Sequence, residues 1–171
     1  MIDERLRPRL VAIAYRMVGS RSDADDLAQE ALLRTHIASE NAARDAAPIR
    51  SLEAYATTVV TRLSIDHLRS ARVRRETYVG PWLPEPLVGE MRDDAAQYAE
   101  LADSLSFAFL VALESLGPVE RAALLMHDVF GYDYDELATM LGRQPAACRQ
   151  IVSRARTRVR ARDTIWRHAA G

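Results

Sequence analysis

Lysine is absent from the 171-residue sequence, so all 23 basic residues are arginine. Such a bias reflects base composition of a genome as readily as selection for bidentate phosphate contacts, and it assigns no mechanism by itself. Cysteine is nearly absent too: Cys148 stands alone, which excludes an intrachain disulfide and fits a reducing compartment. No run approaches the roughly 20 apolar residues needed to cross a bilayer. The first residues, Met1 to Arg5, lack the basic-then-apolar order of a secretory signal. A cytoplasmic protein without a membrane segment is expected. Period-two alternation, internal repeats and low-complexity segments are also missing, which argues against sheets and solenoids. What is present is a chain with 49% hydrophobic and 27% charged residues, enough for one ordinary domain or two small ones.

The net charge of -1 conceals a strong segregation. Residues 1–49 carry seven arginines against eight acids, and residues 50–75 carry six against two. Residues 76–136 then carry two against 13, and residues 137–171 carry eight against one. Two basic segments separated by an acidic one point to two contacts with a polyanion, the bland alternative being solvated helix faces.

Helical periodicity runs from end to end. A first helix is predicted from Arg5 to Val18, with Leu6, Leu10, Ile13, Ala14 and Met17 on one face and Gly19 as its stop. Ser22 with Asp25 resembles a capping box, so a second helix should run from there to His36. Residues Ser39 to Ser51, with Asn41 and Pro48, read as a loop before a long third helix from Leu52 to Arg75. Pro81, Pro84 and Pro86 with Gly80 and Gly89 forbid a helix over Glu76 to Glu90. Helices are then predicted at 94–115, 118–129, 134–141 and 145–162. The expected architecture is all-α: two small helical domains, 1–75 and 94–171, joined by an extended Pro-rich linker over 76–93.

Tyr134 to Gly142 followed by Gln144 to Arg156 has the layout of a helix-turn-helix. Ala138 is small where the helices would cross, Gly142 can make the turn, and Pro145 suits a first helical position. Leu137, Leu141, Cys148, Val152, Ala155 and Val159 fall on the packing side. Gln150, Ser153 and Thr157 point the opposite way, flanked by Arg149 and Arg154. That face suits the major groove, because arginine can pair bidentately with guanine and glutamine with adenine. Arg156, Arg158, Arg160 and Arg162 are better placed for phosphates. Cys148 reads as a small buried residue, not a reactive thiol.

On the second helix Ala24, Leu27, Ala28, Ala31 and Thr35 share the inward face, while Asp25, Asp26, Gln29 and Glu30 lie outward with Leu33 among them. An apolar side chain inside an acidic patch fits a basic, partly apolar protein partner. The same acids loosely resemble the aspartate-rich helix of isoprenoid synthases. No second acidic cluster stands on a facing helix to complete a cation site, and His36, His67, His127 and His168 are scattered without ligand spacing. The chain therefore reads as a non-enzyme without a cofactor or metal. The third helix places Leu52, Tyr55, Ala56, Val59 and Leu63 on its core stripe, with Asp66 on the continuation, where an arginine partner would offset its burial. It then turns basic through Arg62, Arg69, Arg72, Arg74 and Arg75, a second DNA contact.

In this order the elements resemble extracytoplasmic-function sigma factors over nearly the whole chain. Arg9 to Gly19 with Asp23 to Glu30 resembles regions 2.1 and 2.2, Thr61 to Arg69 the helix of regions 2.3 and 2.4, and the helix-turn-helix region 4.2. The resemblance implies a factor that directs RNA polymerase core to specific promoters and assists DNA melting. It implies that Asp25, Asp26, Gln29, Glu30 and Leu33 meet the clamp helices of the largest polymerase subunit. Asn41 in the loop and Arg62, Arg69, Arg72, Arg74 and Arg75 would engage the melted minus-ten element. Arg149, Gln150, Ser153, Arg154, Arg156, Thr157 and Arg160 would meet the minus-thirty-five element. An anti-sigma factor is a further partner class that the resemblance implies.

The linker segment Trp82, Leu83, Pro84, Glu85 and Pro86 resembles the subgroup that carries a C-terminal domain shaped like a small polyketide cyclase (SnoaL-like). The sequence ends at Gly171 without that domain. It also has Tyr55 where relatives often place Trp, Gly117 before Pro118 where a Pro-Pro pair is common, and no aromatic residue in the loop before the third helix. Two other readings are open: a stand-alone helix-turn-helix regulator on a symmetric operator, and a helical adaptor without DNA.

Overall fold

The computed structural model describes residues 5–45, 48–75 and 112–169, with side chains over the same span apart from 73–75 and 163–169. Every element among the described residues is helical. The linker residues Trp82 to Pro86, and nearly all of the helix predicted over 94–115, lie outside them.

Helix α1 (Leu6–Val18) ends where expected, at Gly19 in the left-handed conformation with φ of 73°. Its partner α2 (Arg21–Arg44) differs from the sequence reading at both ends. Ser20, not Ser22, is the cap: it holds an extended backbone while its hydroxyl accepts from the Asp23 amide at 3.3 Å. The helix passes His36 and runs to Arg44, so the first six residues of the segment read as a loop, 39–44, are helical and Asn41 sits in the last turn. The reason is local, since the alanines there are the strongest helix formers and one asparagine does not offset them. Helix α3 (Leu52–Arg75) matches its predicted span, and the Ser51 hydroxyl accepts from the Ala54 amide at its start.

These three helices pack mutually around Leu10, Ile13, Ala14 and Met17 of α1, Ala24, Ala28 and Ala31 of α2, and Ala56, Val60 and Ile65 of α3. Each large aliphatic chain among them contributes about 1.5–3 kcal/mol by burial. The stripe on α3 is rotated from the expected one. Leu52 and Tyr55 are exposed, and Asp66 is 72% exposed, within 3.7 Å of Arg69. Thr57, Thr61 and Ser64 are buried instead. Thr61 and Ser64 donate to carbonyls four residues back, and Thr35 on α2 does the same, which satisfies hydroxyls that would otherwise be costly inside.

The second group begins with α4 (Pro118–Leu124), whose first amide, from Gly117, donates to the Glu120 carboxylate at 3.0 Å. The predicted helix over 118–129 does not stay α-helical. It widens into a π turn over Leu125–Val129, where the Phe130 amide reaches the Leu125 carbonyl. Helices α5 (Tyr134–Leu141) and α6 (Pro145–Ala169) follow, the latter longer than the predicted 145–162.

The groups pack on one another. Val11, Ala12, Arg16 and Val18 are buried as well as the expected face of α1, so this helix is covered nearly all round. Arg121 donates to the Met17 carbonyl at 2.6 Å, in the last turn of α1, where a cation also meets the negative end of the helix dipole. Arg62 does likewise for α5, donating to the carbonyls of Met140 at 2.9 Å and Thr139 at 3.1 Å. Arg9 of α1 links α3 with the loop before α5: it meets Glu53 of α3 at 2.9 Å, donates to the Tyr132 hydroxyl at 2.7 Å, and lies over the Tyr132 ring.

Candidate functional site

Local chemistry dictates the helix-turn-helix. Asp133 caps α5, accepting from the amides of Asp135 and Glu136, while Glu136 reaches back to the Asp133 amide at 2.9 Å. Gly142, with φ of 62°, closes the helix, and the Arg143 amide returns to the Ala138 carbonyl. Pro145 opens α6 at a position whose amide would have no helical partner. Leu137, Ala138, Cys148, Val152 and Ala155 are buried at the crossing, as the spacing requires, while Leu141 and Val159 are half-buried. Burial pushes the Cys148 thiol above its ordinary pKa, although nearby Arg143 opposes the shift.

The outer face of α6 presents Arg149, Gln150, Ser153, Arg154 and Thr157, all exposed. Arg156 and Arg158, both read as phosphate contacts, have acidic partners inside the protein. Arg156 makes a bidentate pair with Asp128 of the π turn at 2.8 and 2.5 Å, and this hydrogen bonding raises its pKa further. Arg158 reaches Glu120 at 2.6 Å. Arg149 lies 5.2 Å from the centre of the Tyr134 ring. Arg160 is exposed on the same helix.

A second face lies on α2. Asp26 and Gln29 are exposed, Asp25 and Glu30 are half-buried, and Leu33 is 53% exposed among them. Arg34 pairs with Glu30 at 2.7 Å, while Arg7 and Arg21 lie 3.6 and 3.9 Å from Asp25. Asp26 points into solvent. Ile37, one turn beyond Leu33 and 49% exposed, extends this apolar surface. A second helix ending at His36 leaves Ile37 outside the patch, although its spacing of four residues from Leu33 is the signal that places the two together.

The basic residues of α3 whose side chains are described, Arg62, Arg69 and Arg72, have different surroundings. Arg62 is engaged by α5, Arg69 lies near Asp66, and Arg72 is exposed. Arg74 and Arg75 end the helix with side chains outside the described residues, and Asn41, on α2, accepts from Arg44 at 3.4 Å. Among the described residues no helix is long and apolar enough to cross a membrane.

Fold and surfaces together define a two-part helical protein with an acidic, partly apolar face on one part and a helix-turn-helix on the other. The Sigma-70 region 2 profile matches residues 2–74, and the Sigma-70 region 4 profile matches residues 106–159. The ECF RNA polymerase sigma factor SigJ of Mycobacterium tuberculosis is 43% identical over 163 residues, covering 95% of this chain and 50% of that protein. The probable ECF RNA polymerase sigma factor SigI of the same species is 34% identical, covering 90% and 51%. The chain therefore belongs to the sigma-70 family, in its extracytoplasmic-function branch. It spans about half the length of these curated relatives. The crystal structure of SigJ superposes with a TM-score of 0.68 at 40% identity, covering 91% of this chain and 51% of that one. The sigma factor RpoE of Bartonella quintana, crystallised with the anti-sigma factor NepR, shares the fold at a TM-score of 0.61 and 19% identity, covering 94% and 93%.

Proposed function

We propose that this chain directs RNA polymerase core to specific promoters and assists DNA melting at initiation, acting in the cytoplasm as a regulatory subunit and not as an enzyme. The observation that supports it is the coexistence of two exposed faces of different chemistry. One is acidic with Leu33 and Ile37 at its centre, on α2. The other is the recognition face of α6, Arg149 to Thr157. A solitary operator-binding regulator has a use for the second but none for the first.

In this reading the functional units are 1–75 and 94–171, joined by 76–93. Asp25, Asp26, Gln29, Glu30 and Leu33 bind polymerase. Asn41, Arg62, Arg69, Arg72, Arg74 and Arg75 approach the minus-ten element. Arg149, Gln150, Ser153, Arg154 and Thr157 approach the minus-thirty-five element, with Arg156 and Arg160 toward its phosphates. Trp82 to Pro86 run along the polymerase channel, and an anti-sigma factor would compete for these same surfaces.

The test is reconstitution: the purified chain mixed with polymerase core should comigrate with it and start transcription at a defined promoter. Arg149→Ala or Gln150→Ala should then cost about 1–3 kcal/mol at particular bases. Arg160→Ala should weaken all promoters alike and reduce the salt dependence. Footprinting of the chain alone as a dimer on a symmetric operator, with no effect on polymerase, would replace this function by the regulator.

A further inference from the structure

Three arginines of α6, Arg149, Arg156 and Arg158, meet side chains that precede the helix in the chain. The π turn over Leu125–Val129 adds one residue to the helical circuit, and a π turn is rare enough to need a reason. Two of its side chains bear on the helix-turn-helix. Asp128 takes both ends of the Arg156 guanidinium. His127 stacks on Tyr134, with ring centres 4.2 Å apart and planes inclined by 24°. The His127 ring is itself oriented, because Nδ1 lies 2.8 Å from the Tyr132 carbonyl, an oxygen that can only accept. The Arg149 guanidinium in turn lies 5.2 Å from the Tyr134 ring centre, within cation–π range. A continuous series thus runs from the Tyr132 backbone through His127 and Tyr134 to Arg149.

We propose that Tyr134, braced by His127, is a positioning residue for Arg149: its ring restricts the guanidinium to orientations from which it can pair with one base, so that specificity depends on a residue outside the DNA-facing surface. The inference rests on the reading of α6 as the recognition helix. A long arginine free at the surface samples many rotamers, and pairing with a base must then order it. Arg149 is exposed, and the Tyr134 ring lies within reach of its guanidinium. A planar, weakly hydrated guanidinium suits stacking on a ring, and the same geometry leaves its edge N–H groups for a guanine. Asp128 acts in parallel on Arg156, which places two arginines on α6 under the control of one turn.

The experiment uses the full chain with polymerase core on a library of promoters carrying each base at every upstream position, with transcript yield giving a discrimination ratio per position. Four proteins are compared: the parent, Arg149→Ala, Tyr134→Leu and Tyr134→Phe. Tyr134→Leu keeps apolar cover but removes the ring. It should relax discrimination by about two- to five-fold, and only at the position that Arg149→Ala relaxes. Tyr134→Phe should retain parental ratios. Because each ratio is internal to one protein, a lower folded fraction in the leucine variant does not change it. Unaltered ratios with leucine, relaxation at a different position, or a phenylalanine variant indistinguishable from leucine would overturn the positioning role while leaving the recognition helix in place. If Arg149→Ala relaxes no position, the reading of α6 fails and the positioning role falls with it.

Discussion

Gly142 makes the turn of the helix-turn-helix in a left-handed conformation with no atom near enough to meet an added Cβ. Gly142→Ala should therefore cost only the backbone strain, about 1–2 kcal/mol, read as a lower midpoint in urea without loss of helical signal. Cys148 gives a second prediction at this scale. Its thiol is buried and its pKa raised, so the folded protein keeps a proton that the unfolded chain releases above the ordinary thiol range. Stability should thus fall as pH rises through that range, and iodoacetamide should label the unfolded chain far faster than the native one. A Cys148→Ala variant whose alkaline stability fell with the same slope would assign the loss to other groups. Gly19, Gly142, Pro145 and Cys148 were all legible because local rules decide them. Asp66, Thr57 and Thr61 were not: the Thr61 hydroxyl bonds its own helix and the Thr57 hydroxyl accepts from Tyr132, so both read as polar in sequence yet sit inside, and the rotated stripe depends on neighbours 65 and 75 residues away along the chain.

At the scale of elements, α2 shows where composition outweighs a single loop-forming residue, since it holds together to Arg44 despite Asn41. The added turn is what brings Ile37 beside Leu33. Leu33→Asp and Ile37→Asp lie on a solvated surface, so each should change stability by no more than about 0.5 kcal/mol. Both should nevertheless abolish retention of polymerase core in a pull-down, because a new carboxylate would be desolvated at an apolar contact. Wild-type retention by the double variant would remove α2 from the interface. The π turn was invisible to periodicity, because one added residue leaves the apolar spacing on either side intact and only backbone hydrogen bonds reveal it.

Over the whole molecule, the helical class and the order of elements could be read from periodicity and capping signals, but the docking of the two groups could not. Nothing in the spacing of Arg9, Arg62 or Arg121 says that each would reach a residue more than 70 positions away or make a contact across the groups. Tyr132→Phe removes the hydroxyl that accepts from Arg9 while keeping the ring beneath its guanidinium. The loss should be about 1 kcal/mol, measured as a lower melting temperature of the free chain. If engaging a promoter requires the groups to part, the same change should strengthen promoter binding by up to about five-fold.

Arg62 carries this furthest. Its guanidinium is held by two carbonyl oxygens of its own chain, at the last turn of α5. A phosphate seeking that guanidinium meets a competitor tethered to the same molecule, whose effective concentration is set by chain connectivity and not by the amount of protein. Dilution weakens every contact between molecules but leaves this one untouched. In the proposed DNA-binding role, a site must therefore displace this internal contact before it gains Arg62, a cost per complex that raising the amount of protein does not change.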